Sequence, residues 1–146
     1  MEKTNELNKL LSYIHMGNSI YRIYYEEAKE LKDQLLIDLI VETQEIFKQH
    51  EEKITSMITQ MNEKATDSLT AAGIMGVYKE KMKSFDNPFL IYTSVIKSTY
   101  MGMLSTFKFL NENKELPKHI VRYIKEMLVD YQDILYKFQN SLLDLF

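Results

Sequence analysis

Two stretches of this chain place a core-type residue at every third or fourth position for about seven helical turns each, and only Lys32-Asp33 separates them. The first covers residues 4–31, with Leu7, Leu11, Ile14, Asn18, Tyr21, Tyr25 and Ala28 on one stripe. The second covers 33–62, with Leu36, Ile40, Thr43, Phe47, His50, Ile54, Met57 and Met61. A stripe this narrow is the seam of a helix that packs on other helices. A joint so short forces the two helices antiparallel, as a helical hairpin.

A second hairpin follows. Asp86-Asn87-Pro88 announces a third long helix over 87–110, with a capping side chain and then proline in the first turn. The fourth covers 117–144, with a seam of Ile120, Ile124, Met127, Tyr131, Ile134, Phe138, Leu142 and Leu145. Between the hairpins, Asp67 or Ser68 caps a shorter crossover helix over about 68–84. A second helix of about 30 residues spans roughly 45 Å. The crossover helix covers roughly 26 Å, and the flanking extended residues add roughly 23 Å. The link therefore reaches back along the whole second helix and lets the second and third long helices lie parallel.

Composition fits one all-α domain over 1–146. The chain is 45% hydrophobic with 4 glycines and 2 prolines, too few for a turn-rich all-β fold. Having no cysteine, it lacks disulfides, thiol catalysis and thiolate metal sites. The formal net charge is -3 and the only arginines are Arg22 and Arg122, which argues against a nucleic-acid partner. The polar opening MEKTNELNKLLSYIH is no secretory signal. Lys97 and Lys108 interrupt the apolar run Phe89–Leu110 and make it unsuitable as a membrane span. A cytoplasmic setting is expected.

The ELKDQLL joint, the SLTAAGIMGVYKEKM crossover and the ELP start of the last helix resemble the ferritin-like superfamily. More narrowly, the chain is similar to small bacterial ferritin-like domains of unknown function, some associated with stress or with spore coats. That resemblance implies a four-helix bundle with one crossover. In metal-bearing members it also implies a di-iron site of two lone glutamates and two Glu-x-x-His pairs. The residues preceding His15, His50 and His119 by three are Ser12, Phe47 and Leu116, and no acidic residue lies between Asn87 and Asn111. No di-metal ligand, catalytic residue or cofactor is therefore assigned.

Individual residues raise narrower expectations. His50 sits on the core seam, level with His15 across the hairpin, and Glu51 or Glu52 is close enough to join a weak metal site. The alternative is a core histidine bonded to a tyrosine, Asn18 or a water. Asn18 and Thr43 are the other polar seam positions and are expected to fix register, or else to mark a pocket in the core. Ser94, Ser98, Gly102 and Thr106 form a ladder of small residues that lets another helix approach. Apolar groups such as Phe89, Tyr100 and Phe107 occupy the remaining faces, so self-association is expected there. Tyr21, Tyr24 and Tyr25 and the nine methionines read as core before interface. Glu26, Glu27, Glu30, Glu42, Glu45, Glu51 and Glu52 read as a solvated face. The function expected is that of a non-catalytic structural or protein-interaction module, acting as a homo-oligomer, a dimer first, or with a protein partner. A degenerate metal-binding or redox protein using His50 is the second reading, and a carrier of lipid or small ligands the third.

Overall fold

The computed structural model describes residues 2–146, with side chains from Asn5 onward, and the described residues form five helices and no strand. These are α1 (Glu2–Glu30), α2 (Gln34–Gln60), α3 (Ala71–Lys81), α4 (Pro88–Glu112) and α5 (Lys118–Leu143). None is long and apolar enough to cross a membrane.

The turns between elements are built by local chemistry. Lys32 adopts a left-handed φ of 56°, the Lys32 N–H bonds the Lys29 carbonyl, and the Asp33 N–H bonds that of Ala28. This is the helix-ending motif that usually takes glycine. Asn62 repeats it after α2, with φ 60°, its N–H bonding the Thr59 carbonyl and the Glu63 N–H that of Ile58. Asp33 caps α2 by accepting from the Leu36 N–H at 3.2 Å. Asn87 caps α4 by accepting from Leu90 at 3.1 Å, ahead of Pro88.

The four long helices pack side by side. Tyr92 and Val95 at the start of α4 share a core cluster with Tyr24 and Ala28 of late α1 and with Leu36 and Ile40 of early α2. Phe109 at its other end joins Leu7 and Ile54. Thus α2 and α4 run in the same direction, and α1 and α5 run against them. The upper cluster is rich in aromatics, with Tyr21, Tyr24, Phe47, Tyr92, Tyr131 and Phe138. The lower one is mostly aliphatic, with Leu7, Leu11, Ile54, Ile58, Ile120 and Ile124.

The crossover differs from the expected helix over 68–84. Thr70, not Asp67 or Ser68, caps α3, accepting from the Gly73 N–H at 3.0 Å. The stretch before it is extended because polar residues of α1 take up its backbone. Asn8 donates to the Lys64 carbonyl at 3.2 Å and accepts from the Thr66 N–H at 2.8 Å. Ser12 donates to the Ser68 carbonyl at 2.9 Å, and His15 Nε2 to that of Thr66 at 2.8 Å. These bonds satisfy carbonyls and N–H groups that a helix would otherwise pair internally.

Candidate ligand-binding site

His15 and His50 do not meet. His15 is partly buried under the crossover, held between the Thr66 carbonyl and Glu51, whose Oε1 lies 3.6 Å from Nδ1. Asn18 donates to the other oxygen of Glu51 at 2.6 Å. Glu51 is therefore half-buried and bonded rather than simply solvated, whereas Glu26, Glu30, Glu42, Glu45 and Glu52 are exposed. Thr43 bonds the Leu39 carbonyl of its own helix at 2.8 Å. Asn18 and Thr43 thus serve separate local roles.

His50 is buried at the join of the two core clusters, beside the rings of Phe47, Tyr123 and Tyr131. Its partner is none of those expected: Nε2 lies 2.7 Å from Oδ2 of Asp130 on α5. Buried Nδ1 has no partner. Burial lowers the His50 pKa, and the Asp130 hydrogen bond and charge oppose that only in part. Nε2–H donates to the Asp130 carboxylate, and burial favours the neutral ring, in which Nδ1 is a bare lone pair. Protonating Nδ1 would place an N–H donor where nothing accepts it. Among the described residues, no group of three or more His, Cys, Asp and Glu side chains is placed to hold a metal ion.

A cavity of about 350 Å³ opens between α1, α3 and α4, on the other side of the same join. Leu10, Ile14 and Ile20 of α1 form an apolar wall, and Tyr21, Phe47 and Tyr131 form the floor. The small-residue ladder of α4 faces this space. Ser94, Ser98, Gly102, Ser105 and Thr106 all line it, so the ladder borders a void as well as receiving Tyr24 of α1 at Ser94 and Ser98.

Three of the four glycines, Gly17, Gly76 and Gly102, line the same cavity from the interiors of three different helices. A helix-interior glycine costs about 1 kcal/mol relative to alanine. At Gly17 no packing constraint accounts for that cost, because an added Cβ would meet nothing within 4 Å. At Gly76 a Cβ would press only on the flexible end of Met16. At Gly102 it would touch the Tyr131 ring at ordinary van der Waals distance. Of the three, only Gly17 borders open space at its Cβ position, since Met16 fills the space beside Gly76 and Tyr131 flanks Gly102.

The cavity floor carries no charge. Tyr21 hydrogen-bonds Thr99 inside the core, and burial pushes its hydroxyl pKa up. Burial likewise pushes Tyr131 up to about 12. The exposed lining residues, Tyr13, Lys79, Lys97 and Met101, mark the mouth. Glu80 stands there as well, paired with Lys83 and accepting from the Tyr24 hydroxyl at 2.8 Å.

Compared with protein-family models, with curated proteins and with solved structures, the chain finds no match in any of the three. Its site is read from its own geometry. Gly17, like Gly76 and Gly102, was a sequence signal available for the cavity, a glycine inside an otherwise regular helical pattern. Asp130 offered none, since it lies on the polar side of its own seam.

Proposed function

We propose that this protein is a non-catalytic, ferritin-like helical bundle that binds an apolar small molecule between α1, α3 and α4. The single observation carrying this reading is the apolar cavity beside Gly17, a helix-interior glycine whose added Cβ would meet nothing within 4 Å. The cavity is at the lower end of the size range of small-molecule sites, and its mix of apolar walls with a few polar groups is typical of them. The parallel course of α2 and α4, joined by a crossover, supports the ferritin-like reading.

Gly17→Leu adds a branched side chain beside the cavity, and its Cβ meets no neighbour within 4 Å. The variant is expected to fold with undiminished stability and to lose binding of a neutral apolar fluorophore such as N-phenyl-1-naphthylamine, which the wild type binds at one site. Equal binding by the two proteins, or none by the wild type, would rule out the cavity as the working site.

A second observation supports self-association. Tyr100, Leu104 and Phe107 on α4 are 48%, 43% and 46% exposed and follow one another at helical spacing. We expect a homodimer at tens of micromolar in sedimentation experiments, converted to monomer by Leu104→Glu. A monomeric wild type would exclude this interface. Charges at Ser98 or Gly102 would perturb the cavity instead, because both residues line it.

A further inference from the structure

We propose that the cavity takes a single-chain amphiphile with an anionic head, a medium-chain fatty acid, whose carboxylate is held at the mouth by Lys79 and Lys97. This rests on the apolar-ligand reading above and adds the ligand's shape and charge.

The shape follows from the walls. Between Ser94 and Thr106 the α4 wall extends roughly 18 Å at about 1.5 Å per residue. A volume of about 350 Å³ spread over that length makes a slot rather than a sphere. At the roughly 30 Å³ that a water-sized group occupies in a liquid, it accommodates about a dozen heavy atoms. An unbranched chain of about that many carbons matches that volume and length.

The charge follows from the mouth. Lys79 on α3 and Lys97 on α4 both line the cavity, are exposed, and form no ion pair among the described residues. The acidic residue among them, Glu80, is already engaged by Lys83 and by the Tyr24 hydroxyl. The mouth therefore presents uncompensated positive charge above an uncharged floor. A ligand with its charge at one end is oriented head-outward by that arrangement, and a carboxylate at the floor would lose its hydration without gaining a cation. The long lysine stems extend the apolar wall while keeping their ammonium groups in water.

The test is titration calorimetry of the full chain with dodecanoate and with dodecanol, each below its aggregation limit. Three proteins are compared: the wild type, a Lys79→Met and Lys97→Met double variant, and Gly17→Leu. Dodecanoate is expected to bind the wild type once per chain. The double variant should weaken it by about two- to thirtyfold, the combined effect of two exposed charge contacts. Dodecanol binding should not change between those two proteins, and Gly17→Leu should abolish both ligands.

If dodecanoate and dodecanol bind equally well and the double variant alters neither, the anionic-head assignment is overturned while the apolar cavity stands. If neither ligand binds the wild type, or if binding exceeds one per chain and survives Gly17→Leu, both readings fall.

Discussion

Tyr24→Ala is expected to lower the unfolding free energy by about 3–5 kcal/mol, the usual cost of truncating a large buried ring to alanine. Tyr24 is fully buried and packs edge-on against Tyr21 and Phe85. Its hydroxyl lies 2.8 Å from Glu80 Oε2, 3.1 Å from Ser98 Oγ and 3.2 Å from the Ser94 carbonyl. A single side chain of α1 thereby fastens both α3 and α4. Tyr24→Phe separates the two contributions. It keeps the ring and removes only the hydroxyl, at a cost of about 1–2 kcal/mol. Its signature should be local, with faster amide exchange in Ala71–Lys81 than in the four long helices. Uniform loss of protection in Tyr24→Phe, or none, would mean that the hydroxyl does not secure α3.

Acid should destabilise the protein through His50. The folded-state pKa lies below the ordinary value of 6.5, so the unfolded chain takes up the proton first. Stability attributable to neutral His50 is complete above pH 6.5 and is lost progressively as pH falls from there toward the folded value. His50→Leu should flatten this part of the pH profile, measured by urea denaturation between neutrality and mild acid. Asp130→Ala should cost about 1–3 kcal/mol near neutral pH, because it strands the buried Nε2–H without an acceptor. It should also steepen the acid loss, since the interaction opposing the depressed pKa disappears. An Asp130→Ala variant as stable as the wild type would show that the pair contributes nothing.

Local chemistry made much of the architecture legible. The joint at Lys32-Asp33, the Asn87-Pro88 start and the heptad-like seams are contained in neighbouring residues, and the helices lie within a few positions of where those signals put them. What the sequence concealed involves partners far apart in the chain. The extent of α3 depends on Asn8, Ser12 and His15 capturing a backbone more than fifty residues away. The acceptor for His50 is 80 residues distant, on a helix whose polar side gave no reason to single out Asp130. The cavity was harder still to foresee, because it consists of missing atoms. A stripe such as Ser94, Ser98, Gly102 and Thr106 reads alike whether a helix fills it or nothing does. Only the coincidence with Gly17 and Gly76 on other helices distinguishes the two.

The division of the core into an aromatic and an aliphatic half has a consequence for how unfolding is observed. Tyr21, Tyr24, Tyr92 and Tyr131, the fully enclosed tyrosines, all belong to one half, and the chain has no tryptophan. Of the tyrosines, only half-buried Tyr123 packs against the other half. Near-ultraviolet dichroism and intrinsic emission are therefore reporters of one end of the molecule. The end formed by Leu7, Ile54 and Ile120 is reported only by half-buried Tyr123 and by Phe109, so its opening would change either signal little.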